Sequence, residues 1–372
     1  MLFIHPSFLK GELALDEGEV VGLLGKSGSG KTRLITEALG WGGNCAIREE
    51  GSRLDLPLPR SLLSGVLQDP SSQVLGGNCQ EEIRLLAADH AVDEAMAKKL
   101  MGEYYSRDFF ELSDGYKRRY SLVTVMASKP KYILLDEPLA NLDSQGVREI
   151  LSLLPRGSLI AEHRVREVRG ILDRAYLIAN NNIEEVGRDK LYDDEFLRSH
   201  GLRGFKLERQ KESVVGNEVL LDLDVGFRLT LKEGEVVGLY GRNASGKTTI
   251  IRKLSRKSYA VFQEPDLQFF RRTVSEEVGN DDALALFGLS KKADSSPFAL
   301  SFGEKMRVLM AAAFSSGKRV LAFDEPTTGM DGDALLSFLD ALDLLRDQKR
   351  GVVMATHDED LLSVCDRVIF LQ

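Results

Sequence analysis

EGEVVGLLGKSGSGKT (residues 17–32) returns as EGEVVGLYGRNASGKT (233–248), and this doubled stretch decides how the chain is read. The short apolar runs VVGLL (20–24) and VVGLY (236–240), closed by glycine, read as strands buried on both faces. Helices are expected to follow at 32–39 and 248–254. Between strand and helix, GKSGSGKT (25–32) and GRNASGKT (241–248) both satisfy G-x-x-x-x-G-K-[ST]. The chemistry of a phosphate cradle needs these residue types. Glycines let backbone N–H groups turn inward around phosphate oxygens, a lysine reaches the β- and γ-phosphates, and a hydroxyl serves Mg²⁺. The following helix points its positive end at the anion. The first loop offers Gly25, Ser27, Gly28, Gly30, Lys31 and Thr32; the second offers Gly241, Asn243, Gly246, Lys247 and Thr248. Ala244 stands where the first loop has Gly28, and a methyl group there is tolerated only at negative φ.

Working outward, five more blocks repeat in the same order. GVLQDPSSQ (65–73) answers to AVFQEPDLQ (260–268), and LSDGYKRR (112–119) to LSFGEKMR (300–307). YILLDEPLANLD (132–143) answers to VLAFDEPTTGMD (320–331), LIAEH (159–163) to VMATH (353–357), and LDRAYLI (172–178) to CDRVIFL (365–371). An unchanged order over so long a period means a duplicated domain rather than a solenoid. The expected division is 1–202, a polar linker at 203–216, and 217–372. A surplus at roughly 41–62 has no counterpart in the second copy, and reads as a small antiparallel subdomain trimmed there. Buried strands alternating with helical stretches predict a mainly parallel α/β sheet with flanking helices in each copy.

LLDEP and AFDEP put Asp136–Glu137 and Asp324–Glu325 at the carboxyl ends of buried strands, where ligands sit in open α/β sheets. Successive strand residues point opposite ways, so the two acids can take different tasks. Asp136 and Asp324 are expected to help hold Mg²⁺. Glu137 and Glu325 are expected to polarise the water that attacks the γ-phosphate. His163 and His357 end another pair of apolar strands at matching positions, and are expected at the γ-phosphate or the attacking water.

The chain has 372 residues, a net charge of −8 and a pI near 5.4, which argue against a general basic surface for nucleic acid. Cys45, Cys79 and Cys365 form no CxxC pair, which suits reduced thiols. No apolar run is long enough to span a membrane, and MLFIHPSFLKGE lacks the pattern of a signal peptide.

Taken together, these blocks resemble the nucleotide-binding subunit of ABC-type ATPases, in two tandem copies of a P-loop NTPase domain with a helical subdomain. LSDGY and LSFGE resemble the LSGGQ signature, keeping Ser113 and Gly115, and Ser301 and Gly303. They depart from it at Asp114 and Tyr116, and at Phe302 and Glu304. The resemblance implies ATP as ligand with Mg²⁺. It implies head-to-tail pairing in which each ATP lies between one copy's phosphate loop and the other's signature. One site would join 25–32, Gln68, Asp136, Glu137 and His163 to LSFGE. The other would join 241–248, Gln263, Asp324, Glu325 and His357 to LSDGY. Gln68 and Gln263 would sense Mg²⁺, and the segments ending at Asp143 and Asp331 would communicate across the seam. The family usually stacks adenine on an aromatic residue before the phosphate loop; Phe3 and Phe8 are loose candidates in the first copy, and no platform is assigned. QDPSSQ and QEPDLQ resemble the QxPxxQ stretch of energy-coupling-factor (cobalt or vitamin type) importers.

That resemblance implies an ATP-hydrolysing motor for integral membrane subunits on separate chains, cytoplasmic and peripheral on the inner face of the membrane. The competing reading is a soluble ABC ATPase acting on ribosomes or nucleic acid. The acidic balance, the absence of a long basic linker and the absence of a cysteine cluster weigh against it, and no direct nucleic-acid contact is expected.

Overall fold

A computed structural model describes residues 1–140, 142–207, 215–241 and 245–371. The chain divides into two units, Met1–Phe205 and Lys206–Gln372. In the first, the strands are β1 (Leu2–His5), β2 (Leu13–Leu15), β3 (Val20–Leu24), β4 (Ala46–Glu49), β5 (Ser52–Leu54), β6 (Leu63–Val66), β7 (Tyr132–Asp136), β8 (Ser158–Glu162), β9 (Arg174–Ala179) and β10 (Asn182–Val186). The central sheet runs β10-β9-β3-β8-β7-β6, parallel except for β10. All of β3, β7 and β8 is buried, as their apolar composition requires for strands covered by helices on both faces. A separate antiparallel sheet, β2-β1-β4-β5, takes up much of the 41–62 surplus.

The second unit has β11 (Val219–Asp224), β12 (Arg228–Lys232), β13 (Val236–Tyr240), β14 (Tyr259–Val261), β15 (Val320–Asp324), β16 (Gly351–Thr356) and β17 (Arg367–Phe370). Its parallel sheet runs β14-β15-β16-β13-β17, the same order as the first unit without β10. Among the described residues only the hairpin β11-β12 represents the antiparallel part, so the second copy is indeed reduced. Each unit also carries a helical subdomain. In the first it contains Cys79–Ala87, Glu94–Met101 and Asp114–Ala127 around a core including Ile83, Phe109 and Tyr120. In the second it contains Val274–Val278, Asp281–Leu286 and Phe302–Ser315.

Residues 203–205, within the stretch expected to be a linker, pack on the first unit. Arg203 N–H donates to the His163 carbonyl at 2.8 Å, and Val165 N–H donates back to Arg203 at 2.8 Å. Phe205 is buried under the Arg198 guanidinium. Two apolar residues, Leu202 and Phe205, anchor this polar-looking segment to the first unit. Residues 208–214 lie outside the described residues.

Candidate functional site

Parallel pairing brings the carboxyl ends of β3, β6, β7 and β8 to one edge of the first sheet, so residues far apart in sequence become neighbours there. The loop after β3 turns into the helix Lys31–Ala38 through Gly30, at φ 106°. A side chain at Gly30 would be strained and would also strike the Phe8 ring. Phe8 therefore lies on the phosphate loop, with the Arg33 guanidinium 4.0 Å from its centroid. Phe3, the other loose aromatic candidate, lies near Arg48. Lys31 is buried and its ammonium donates to the carbonyls of Gly25 (2.6 Å) and Lys26 (3.0 Å), so it lies over the loop. Gly28 takes φ 78°. Its replacement Ala244, and Asn243 beside it, lie outside the described residues. In the second unit, Gly246 repeats the left-handed turn and the Lys247 ammonium donates to the Gly241 carbonyl.

Glu137 and Glu325 both sit at positive φ, 45° and 49°. For a residue with a side chain this is a costly conformation, held here because each N–H donates to the adjacent strand, to Ala161 (3.0 Å) and Ala355 (2.8 Å). The turn swings each carboxylate out along the sheet edge. Glu137 accepts from the Gln68 amide at 2.8 Å and meets His163 Nδ1 at 3.2 Å. Three predicted residues from three strand ends thus form one chain. Burial pushes the Glu137 pKa up, but His163, Lys31 and Arg118 outweigh it and hold the carboxyl below its ordinary range. Glu325 meets His357 Nδ1 at 2.9 Å and the Lys247 ammonium at 3.5 Å. Gln263 makes no hydrogen bond to Glu325, so the two clusters are not copies in detail.

Asp136 and Asp324 are buried, and neither oxygen of either carboxylate has a hydrogen-bond partner among the described residues. Burial pushes Asp136 up to about 6, opposed by the nearby Thr32 hydroxyl and Lys31 ammonium. Asp324 is raised for the same reason, opposed by Thr248. A buried, unpartnered carboxylate beside a hydroxyl is the donor set a hard divalent cation fits. Among the described residues no group of three or more His, Cys, Asp or Glu could hold a metal. Such a cation would therefore complete its shell with phosphate oxygens and water.

The signature residues begin separate helices. Ser113 occupies the N-cap position of Asp114–Ala127 without a side-chain cap bond, and Ser301 caps Phe302–Ser315. Ser113 shares no hydrogen bond with Glu137, nor Ser301 with Glu325. Gly115 and Gly303 occupy equivalent first-turn positions but different surroundings. A Cβ on Gly303 would fall 2.4 Å from the Gly329 carbonyl, whereas one on Gly115 meets only Leu142, at 3.8 Å. Gly303→Ala should therefore cost about 1–3 kcal/mol through overpacking, and Gly115→Ala should be neutral or better. Thermal melts of the two variants check this; equal losses would contradict it. Asp143 and Asp331 cap helices, accepting from Gly146 N–H (2.9 Å) and Ala334 N–H (3.0 Å).

Several residues escaped the sequence reading. Arg118 is buried near Glu137 and Glu162, where the second copy has Met306. Glu162 is buried and accepts from the N–H groups of His163 (3.0 Å) and Arg164 (3.2 Å); the second copy has Thr356. The Ser29 and Ser245 hydroxyls are buried, with no hydrogen-bond partner among the described residues. The last Gln of each QxPxxQ stretch is a staple. Gln73 bonds Leu67 N–H (2.6 Å) and the Gly65 carbonyl (3.0 Å), and Gln268 bonds both backbone groups of Phe262 (2.9 Å each). Neither Arg118, on a helix face shared with Asp114 and Ser121, nor the staples carry a sequence signal; both depend on how the segments pack.

Two parallel sheets with a phosphate loop, an Asp–Glu pair and a His at one edge of each define a P-loop nucleotide-binding protein. Residues 10–140 match the family described as ABC transporter. The chain is 29% identical to a provisionally named ABC transporter ATP-binding protein of Streptococcus agalactiae, covering 98% of this chain and 86% of that protein. A similarly named protein of Treponema denticola is 27% identical, with coverage of 96% and 90%. The fold is also that of an archaeal ribosome recycling factor, solved with a ribosomal stalk protein (TM-score 0.69, 20% identity, 96% of this chain and 84% of that one). An RNase-L inhibitor is comparable (TM-score 0.68, 20% identity, 99% and 87%). The chain thus has the P-loop ABC fold, with a match to the ABC transporter family over residues 10–140, and is an ATP-binding ATPase.

Proposed function

We propose that the chain is the ATP-hydrolysing motor of a membrane importer, with its two copies pairing head to tail around two ATP molecules. Residues 25–32 with Gln68, Asp136, Glu137 and His163 would face Ser301 and Gly303. Residues 241–248 with Gln263, Asp324, Glu325 and His357 would face Ser113 and Gly115. Lys31 and Lys247 bind the phosphates, Glu137 and Glu325 accept the proton of the attacking water, and the histidines orient those glutamates. Thr32, Asp136 and Gln68, and Thr248, Asp324 and Gln263, would hold Mg²⁺, which when bound neutralises phosphate charge. ATP favours the paired state because only the γ-phosphate reaches the opposite signature; hydrolysis removes that difference.

One observation carries the membrane-partner part of this reading. Leu75 and Phe110 are 76% and 75% exposed, and the residues at the same repeat positions, Phe270 and Phe298, are 85% and 55% exposed. Within each unit the two segments are bonded together, Phe109 N–H to Gly77 (2.9 Å) and Val274 N–H to Ser295 (3.0 Å). Large apolar side chains kept exposed twice in one place suit docking against other chains. The stapled QxPxxQ turns that lead into Leu75 and Phe270 favour the energy-coupling-factor type. No helix among the described residues is long and apolar enough to cross a membrane, so membrane-embedded chains would be separate partners. A cytoplasmic, peripheral location on the inner face follows from that role.

The test is purification of the full chain from detergent extracts of its source. Membrane chains should co-purify, and be lost with Leu75→Glu plus Phe270→Glu while ATP turnover persists. Salt-sensitive retention of ribosomes, with no membrane chain, would instead support the soluble alternative.

A further inference from the structure

We infer that Glu304 competes with the γ-phosphate for the donors of the second signature, so that the ATP site completed by Ser301 needs more ATP to close than its counterpart. This rests on the head-to-tail pairing proposed above. Ser301 donates its hydroxyl to Glu304 Oε2 at 2.9 Å and its N–H to the same oxygen at 3.0 Å. Glu304 N–H returns a bond to Ser301 Oγ at 3.4 Å. The two donors that a γ-phosphate would use at the start of this 14-residue helix are therefore already spent on a carboxylate of the same chain.

The first signature differs on each point. Tyr116 replaces the acid and stacks on Tyr104, with ring centroids 3.8 Å apart. Ser113 makes no side-chain cap bond. Asp114 is acidic, but it is exposed and bonds to neither donor of Ser113. A γ-phosphate can meet Ser113 directly, whereas at Ser301 it must first displace a like charge. Lys292, whose ammonium is 3.8 Å from Glu304 Oε1, offers the displaced carboxylate a place to go. Glu304 is thus a positioning residue that sets the order in which the two sites close.

Glu304→Gln tests this, because Gln preserves the capping geometry and removes the charge. Phosphate release is measured against ATP concentration in full-length Glu325→Gln protein, where turnover comes from the first phosphate loop. Half-saturating ATP should fall about tenfold, with kcat changed less than about twofold and Tm unchanged. In the Glu137→Gln background the same substitution should leave the ATP dependence as it was. An unaltered half-saturation in the Glu325→Gln background overturns the inference. Ser301→Ala and Ser113→Ala read the pairing separately. Each should lower turnover in the background whose live loop it faces. If neither does, the pairing itself is wrong; if both do and Glu304→Gln changes nothing, only the role of Glu304 fails.

Discussion

Glu137→Gln and Glu325→Gln should each lower ATP turnover when made singly, and together reduce it by about 100-fold or more, while ATP still binds. The amide can keep the bond with the His163 ring or the one accepted from the His357 backbone N–H, so neither change should disturb the turn. What it cannot do is accept a proton. Both glutamates are held in the same strained conformation beside a histidine, and this equivalence underlies the expectation of two competent sites. Steady-state phosphate release, paired with binding of a fluorescent ATP analogue, measures it. If either single variant turned over ATP at the wild-type rate, two-site competence would be wrong.

Asp136→Asn is expected to separate stability from activity. Raising a carboxyl from 3.8 to about 6 corresponds to about 3 kcal/mol of disfavoured ionisation, borne by the nucleotide-free protein at neutral pH. The amide removes the charge but leaves its own groups without partners, so only part of this returns. A rise in Tm of about 3 °C without nucleotide is the expected scale. Turnover should fall by about 100-fold, because the buried carboxylate suited to the cation is gone. Thermal melts with and without Mg²⁺ and ATP check both halves. A variant that is less stable without nucleotide, or that still gains stability from Mg²⁺–ATP as the wild type does, would contradict this account of Asp136.

Much of the fold and site could be read directly from residue order, for a physical reason. A phosphate loop works through consecutive backbone N–H groups, so its chemistry is compressed into eight residues. Buried parallel strands need unbroken apolar runs, so VVGLL, YILLD and SLIAE stand out, and the residues just after each run must lie on the same sheet edge. The placement of Asp136, Glu137 and His163 at that edge was therefore legible without any contact being known. Duplication of every block made the reading firm, and the missing residues of the second copy mapped onto β4 and β5.

What one-dimensional pattern left open depends on contacts between distant segments. Gln68 bonds Glu137 while Gln263 leaves Glu325 to Lys247, although the local sequences match. Arg118 enters the first cluster because its helix packs against the strand that ends near Leu67, a relation that spacing does not reveal. Residues 203–205 look solvated until Phe205 is seen to be buried. Most consequentially, LSDGY and LSFGE read as two versions of one signature. Ser301 and Glu304 have the residue types and spacing of a capping box and Tyr116 excludes one in the first copy, but only the structure shows both donors of Ser301 bonded to Glu304. Covalent neighbours determined the nucleotide chemistry, whereas side chains converging through space decided how unequal its two copies are.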